Sequence, residues 1–210
     1  EYGLVAPREI SSLRRAVPQW LEDAENGLTG RFRLLLAGLY RDLKQLDERV
    51  RELDQEVAAI TREHEPVRRL MQINGVGPLI ASALYALVGD ARQYRNGRDL
   101  AVALGLTPRQ HSSGGKEKLL GISKRGDIYL RTLLVHGARS ALCAAAKAQR
   151  EGRPLDGLRT WALATEQRRG RNKATVALAN KLARIIWATW RYQRPFNGDW
   201  ATQATSNAAC

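Results

Sequence analysis

The most regular hydrophobic pattern in the chain lies between residues 32 and 60. Nine apolar residues there are separated alternately by four and three positions: Phe32, Leu36, Leu39, Leu43, Leu46, Val50, Leu53, Val57 and Ile60. Charged residues fill most positions between them, and Pro66 ends the pattern. Such a heptad repeat predicts a coiled-coil helix whose apolar face packs on a partner helix. The alternative is a helix that lies on its own domain.

After the heptad segment, the pattern predicts a helix, a tight turn and a second helix. Residues 67–73 lead through Gly75 and Gly77 into an apolar stretch over residues 79–88, and Pro78 suits the first turn of a helix. Two glycines allow a tight turn, and the amides of the following helix can then bind a phosphate oxygen. The pattern is therefore typical of a helix-hairpin-helix, and the alternative is a plain αα-corner.

Helical periodicity resumes over residues 128–148, 158–168 and 174–192, and residues 168–173 form a basic turn between the last two. No segment shows convincing strand alternation, so we predict an all-α fold: a long coiled-coil arm followed by a helical domain containing the helix-hairpin-helix-like turn. The predicted organisation has three segments: an N-terminal segment and coiled-coil arm (1–66), the domain with the turn (67–148), and a linker, basic C-terminal helices and frayed tail (149–210).

Charge separates the chain into two parts. Residues 1–66 carry 10 Lys and Arg against 13 Asp and Glu, whereas residues 67–210 carry 24 against 8. Because the positive balance of the second part extends over many helical turns, its predicted partner is nucleic acid. The alternative is an anionic membrane surface.

The remaining composition narrows the class of protein further. Cys143 and Cys210 support neither a disulfide scaffold nor a metal cluster, and the three histidines lack ligand spacing, so no metal site and no cofactor are predicted in this chain. No apolar run approaches the length that spans a bilayer. We predict a cytoplasmic protein associated with the nucleoid.

The loop around Ser113 is the best candidate for chemistry. Ser113 precedes a glycine pair, and five cations surround it in sequence: Arg109, Lys116, Lys118, Lys124 and Arg125. These cations would stabilise negative charge on a phosphoryl group attacked by a hydroxyl, but no adequate base is nearby, since nothing orients His111. From the residues alone, a loop that only holds phosphate, without covalent chemistry, is therefore the favoured interpretation.

An ordered series of motifs runs from residue 73 to residue 142. It comprises INGVG, GLTPR, an SG pair, ISKRG and a leucine-rich helix, and EYGLVAP before it and RGRNKATVALANKLARIIWATW after it extend the match over nearly the entire chain. This series closely resembles the C-terminal transposase domain of the DEDD-type insertion-sequence transposases, the family numbered one-hundred-and-ten with its eleven-eleven subgroup.

The resemblance implies a mechanism in which this chain supplies one part of a composite site. It implies that Ser113 is the nucleophile that joins covalently to a DNA end, with Ser112 and Ser123 as alternatives. It also implies an N-terminal RuvC-like domain with acidic residues that bind magnesium, a bridge-type guide RNA, and a homo-oligomer formed through the coiled coil. Because the chain begins at Glu1 rather than Met, we expect an upstream segment, and we do not expect this chain alone to recombine DNA.

The candidate nucleic-acid-binding residues lie in the turn, in the loop and near residue 170. They are Gly75, Gly77, Arg109, Gly114, Lys116, Lys118, Lys124, Arg125, Arg168, Arg169, Arg171 and Lys173. Lys181 and Arg184 extend the last group. Tryptophans 161, 187, 190 and 200 could stack on bases, but the helical spacing of Trp187 and Trp190 favours a core position. The alternative function is a non-catalytic module for nucleic-acid binding and oligomerisation.

Overall fold

The computed structural model describes residues 2–110 and 119–199 of this chain. In these residues the fold consists of eight α-helices, one short 3-10 helix (Ala91–Gln93) and two short strands. The α-helices are α1 (Ile10–Glu22), α2 (Gly30–Glu63), α3 (Glu65–Leu70), α4 (Pro78–Val88), α5 (Gly97–Ala103), α6 (Ile128–Arg150), α7 (Gly157–Arg169) and α8 (Arg171–Tyr192), and the strands are β1 (Pro108–Gln110) and β2 (Leu119–Ile122).

The predicted all-α class is confirmed as a mostly helical fold, with one correction. β1 and β2 pair as an antiparallel two-stranded sheet within the segment that we predicted to be a loop. The strands have three and four residues, and β1 is exposed along its length. They are too short to show the apolar and polar alternation from which a strand is predicted.

The chain divides into two compact units, residues 1–56 and residues 57–210. The predicted three-segment organisation stays a prediction, since it rests on sequence signals that this division does not address. None of the described helices is both long enough and apolar enough to cross a bilayer.

In the first unit, side-chain hydrogen bonds join α1 to residues 33–47 of α2. The guanidinium of Arg14 pairs with Asp47, and the Tyr40 hydroxyl donates to the carbonyl of Arg14 at 3.2 Å. Arg33 donates to the backbone carbonyls of Trp20 and Leu21, each at 3.0 Å, where the last carbonyls of a helix lack partners in the helix itself. Arg33 thus joins the end of α1 to α2.

The heptad seam of α2 is largely uncovered in this unit. Leu39 is 67% exposed, Leu46 is 64% exposed and Val50 is 56% exposed. The seam positions Leu36 and Leu43 are half-buried. The predicted long helix is therefore present, and a partner for its apolar face stays a prediction.

The core of the second unit is built around α8, which packs against α3, α5, α6 and α7. Small and branched residues alternate on its buried face, so neighbouring helices can approach closely. The fully buried residues on α8 are Ala174, Leu178, Ala179, Leu182, Ala183 and Ile186. Trp187 is also buried, and its indole N–H lies 3.1 Å from the carbonyls of both Ala91 and Tyr94.

Short polar residues set the starts of α6 and α7. The carboxylate of Asp127 accepts from the amide of Leu130 at 2.7 Å, and that of Asp156 accepts from the amide of Arg159 at 2.8 Å. Both are N-caps of the ordinary kind. Between α7 and α8, in contrast, the connection is the single residue Gly170, with φ of 81°. The prediction of a basic turn over residues 168–173 is wrong, because residues 168–169 end α7 and residues 171–173 begin α8.

Candidate functional site

The turn between α3 and α4 packs on α6 through two glycines. Gly75 has φ of +92°, and a Cβ there would lie 2.7 Å from the carbonyl oxygen of Gly137. A Cβ on Gly137 would in turn overlap the carbonyl oxygen of Gly75. Gly75 is therefore required both by its backbone conformation and by this close approach. Gly77 has an extended φ of −87° and open space around it, so the prediction that both glycines shape the turn is wrong for Gly77.

The N-terminus of α4 is available to an anion. Its N-cap Gly77 offers no side-chain hydrogen bond, and its first turn has no acidic residue. Pro78 and Leu79 in that turn are exposed. The first amides of a helix carry a partial positive charge, so the local geometry is compatible with the predicted phosphate contact. That contact, and the helix-hairpin-helix identity of the turn, stay predictions.

Backbone hydrogen bonds hold together the base of the β1–β2 hairpin. Pro108 is opposite Ile122, and Gln110 is opposite Leu119, with an irregularity between the two pairs. Below them the amide of Ser123 donates to the carbonyl of Thr107 at 2.8 Å. The chain that joins the strands, residues 111–118, lies outside the described residues.

Two glycines lock this hairpin base. Gly105 and Gly126 have φ of +66° and +100°. A Cβ on Gly105 would overlap the carbonyl oxygen of Arg125, and a Cβ on Gly126 would overlap that of Ala103. Neither position tolerates a side chain without a backbone shift, so the two ends of the hairpin are held in one arrangement.

Side chains from α6 and α8 bind the same base. The amide of Asn180 donates to the carbonyl of Leu106 at 3.1 Å. The guanidinium of Arg131 donates to the carbonyl of Leu104 at 3.2 Å. These bonds satisfy carbonyls in the segment between α5 and β1, and they attach the hairpin to the main core.

Three predicted cations lie together at the hairpin base. Arg109, Lys124 and Arg125 are all exposed, and Lys124 adopts the left-handed conformation with φ of 56°. The other predicted loop residues lie outside the described residues: His111, Ser112, Ser113, Gly114, Lys116 and Lys118. Ser123 is described and half-buried.

A second basic group surrounds Gly170. Arg168, Arg169, Arg171 and Lys173 are exposed on the last turn of α7 and the first turn of α8. Arg171 donates to the Sγ of Cys143 at 2.8 Å. Cys143 lies on α6, 16 residues after Asp127, the N-cap of that helix. This group is thus roughly 24 Å along α6 from the hairpin base, so the structure does not bring the two basic groups together.

A third group of cations lies further along α8. Burial, with repulsion from Arg184 as the second cause, lowers the pKa of Lys181. Burial, followed by repulsion from Arg98, lowers the pKa of Arg184. The backbone of Arg184 packs directly on Gly97, which is what brings Arg98 near it. Arg98 was not among the sequence-predicted residues, because its proximity depends on a contact between residues distant in the chain.

The sequence of this chain is similar to those of known transposases. Residues 67–152 match the profile of a family described as Transposase IS116/IS110/IS902 family. A transposase for insertion sequence element IS1111A of Coxiella burnetii is 44% identical over 93% of this chain and 52% of its own length. A transposase for insertion sequence element IS1328 of Yersinia enterocolitica is 38% identical over 89% of this chain and 53% of its own length.

Residues 67–152 are thus similar to the transposase domain of the IS116/IS110/IS902 family. The chain spans about half the length of the curated relatives that it matches. The segment that matches the family profile contains the turn at Gly75 and the whole hairpin base, and it ends just after α6.

The segment that matches the family profile packs on α8, which lies beyond residue 152. Asn180 binds the hairpin base, and the indole of Trp187 binds the segment before α5. Trp187 is therefore a core residue, which confirms the prediction from its spacing. Trp190 is half-buried and stacks with Tyr85, the ring centroids being 6.2 Å apart. Trp200 lies outside the described residues.

The described residues hold no group of three or more His, Cys, Asp or Glu side chains that could bind a metal ion. They therefore do not fit a magnesium site of the kind that the resemblance implies for the N-terminal domain, since Mg²⁺ is usually held by carboxylates. Cys143 is exposed and has a free thiol.

Proposed function

We propose that this chain is the C-terminal part of an insertion-sequence transposase that binds DNA and a bridge-type guide RNA and supplies Ser113 as the nucleophile for strand exchange. The similarity of residues 67–152 to the transposase family is the observation that carries this proposal. The relatives are about twice as long as this chain, which leaves room in the complete protein for a RuvC-like DEDD domain that holds magnesium. No step assigned to this chain depends on that metal.

The hairpin base supports the role of Ser113. A nucleophile needs a fixed position relative to the phosphorus that it attacks, and the strands on both sides of residues 111–118 are held by Gly105, Gly126 and Asn180. Arg109, Lys124 and Arg125 are exposed at the same base. Their charges would stabilise the phosphoryl oxygens as negative charge develops there.

The proposed reaction is a transesterification. The Ser113 oxygen forms a bond to phosphorus while the bond from phosphorus to a deoxyribose oxygen breaks. The serine proton passes to a base, and the released deoxyribose oxygen takes up a proton. The residue that accepts this proton is expected in the RuvC-like DEDD domain, because this chain offers no adequate general base near Ser113. By itself, this chain is expected to bind nucleic acid without recombining it.

Replacement of Ser113 in the complete protein tests the catalytic proposal. Ser113→Ala should abolish strand exchange and leave binding of nucleic acid unchanged, since the hydroxyl acts only in the chemical step. Ser123→Ala is the matched control and should retain activity. Strand exchange by Ser113→Ala at the wild-type rate would instead favour the non-catalytic binding module.

Oligomerisation through the α2 seam is the second part of the proposal. The exposed leucines of the seam would be buried by a second copy in a coiled coil. Replacing both Leu46 and Leu53 by Asp should therefore lower the molar mass of the assembly, as measured by light scattering. The control places Asp at Gln45 and Arg51, which lie off the seam. An unchanged mass for the Leu46 and Leu53 variant would reject the seam as the interface.

A further inference from the structure

A cleft of about 630 Å³ runs along α8, outside the residues that match the family profile. Its walls are α8, the first turn of α7 and the segment that follows α8. The lining residues are Leu158, Lys181, Arg184, Ile185, Ala188, Thr189, Tyr192, Arg194, Pro195, Phe196, Asn197 and Gly198. Volumes of this size are typical of sites for small organic ligands.

The cleft follows one face of α8. The residues from Lys181 to Tyr192 that line it recur at helical spacing of three and four. This face is about 16 Å long by the rise of an α-helix. Ile185 and Ala188 make its middle apolar, with cationic residues at both ends. The groove therefore suits an extended ligand that carries negative charge and has an apolar, flat part.

Charge in the cleft has one sign. Lys181, Arg184 and Arg194 line it, and none of the described lining residues is Asp or Glu. The ammonium of Lys181 lies over the indole of Trp161, 4.1 Å from the ring centroid. These three cations would attract an anion into the cleft.

An aromatic surface lies at the other end of the groove. Tyr192 is 60% exposed, yet its position is set by Trp187, whose ring meets it edge-on with the centroids 5.6 Å apart. An exposed ring that is held in place is what stacking on a nucleic-acid base requires. Phe196 adds a second aromatic ring to the lining.

The segment after α8 is attached to α7, so the cleft is formed before any ligand arrives. The amide of Leu158 donates to the carbonyl of Gly198 at 3.0 Å. A Cβ on Gly198 would lie 2.7 Å from the carboxyl carbon of Asp156, the residue that caps α7. This close contact leaves no room for a larger residue at position 198.

We propose that this cleft binds an unpaired nucleotide of a single-stranded nucleic acid, with its base on Tyr192 and the neighbouring phosphates at Lys181 and Arg184. The inference rests on the proposed nucleic-acid function and names a separate site for it. Cationic groups together with an exposed aromatic ring are the usual means of binding single strands. A base inside a duplex could not stack on Tyr192, because it is already stacked on its neighbouring base pairs.

Fluorescence anisotropy with the 210-residue chain tests the proposal. The probes are a labelled single-stranded oligonucleotide and a blunt duplex of the same sequence. Tyr192→Ala should weaken single-strand binding roughly ten-fold, as loss of one base stack does, and leave duplex binding unchanged. Tyr192→Phe should bind as the wild type does. Arg184→Met should weaken single-strand binding more than Arg150→Met, a control on α6 outside the cleft.

Crosslinking provides a measurement that does not depend on a variant's fold. An oligonucleotide containing a photoreactive halogenated pyrimidine should crosslink to Tyr192 or Phe196, as identified by mass spectrometry. Crosslinks found only elsewhere, equal losses for both probes, or displacement of the oligonucleotide by an acidic peptide would overturn the cleft proposal. Failure of strand exchange by the complete protein would instead overturn the proposed function.

Discussion

The hairpin base and the junction around Gly170 are both basic, but the protein supports them in different ways. At the hairpin base, Arg125 belongs to a backbone that touches Gly105 with no space for a side chain. At the junction, a Cβ on Gly170 would meet nothing within 4 Å. The arginines on either side of Gly170 are simply exposed at helix ends.

This difference separates two uses of positive charge. Exposed charges at helix ends attract nucleic acid over long distances and can be removed with little effect on folding. At the hairpin base the backbone that carries the cations is held in a fixed position, and a reaction site requires such a position whereas simple attraction does not. This difference supports the proposal that the hairpin base is a reaction site and the junction a binding surface.

The largest expected effect is that of a side chain at the hairpin base. Gly105→Ala should lower the free energy of unfolding by about 3 kcal/mol or more, because strain at positive φ adds to overpacking against Arg125. Urea denaturation measures this change. Gly152→Ala is the matched control, since φ is +65° there but the space is open, and it should cost only about 1 kcal/mol. Equal losses of unfolding free energy in the two variants would mean that the backbone at Arg125 can shift with little cost.

A smaller effect is expected when α8 loses its bond to the hairpin. Asn180→Ala removes the donor to the carbonyl of Leu106, and the free energy of unfolding should fall by about 1–2 kcal/mol. Asn172→Ala, at the exposed start of α8, should change it by less than about 0.5 kcal/mol. Thermal unfolding of both variants measures the difference. A loss for Asn172→Ala as large as that for Asn180→Ala would contradict the contrast between the two regions.

The smallest effect on stability is expected at the junction. Replacing Arg168, Arg169 and Lys173 together by Gln should leave the free energy of unfolding within about 0.5 kcal/mol. The slope of log affinity for duplex DNA against log salt concentration should become shallower by about 0.9 for each phosphate that the variant no longer neutralises. Arg49 and Arg51, which pair with Glu52 and Glu48 on α2, provide the control replacements. An unchanged slope for the junction variant would remove this surface from the binding site.

Local patterns predicted the helices well, because a helix depends on residues close in sequence. The heptad repeat predicted α2, and the apolar periodicity predicted α6 to within two residues at its end. The hairpin was missed, since β1 and β2 are short and their hydrogen bonds join residues on either side of an intervening segment. The basic turn was predicted to be too long, because a run of arginines is compatible with a helix. Only Gly170 interrupts the helical residues there.

By itself, the sequence determined the helical class, the basic second part and the order of motifs in which the family resemblance lies, since composition and periodicity are local properties. Only the tertiary structure decided that Gly75 packs on Gly137, that Asn180 of α8 supports the hairpin, and that Arg98 is close to Arg184. Each of these contacts joins residues far apart in the chain. Their geometry depends on how closely two backbones approach, which residue type and spacing do not specify.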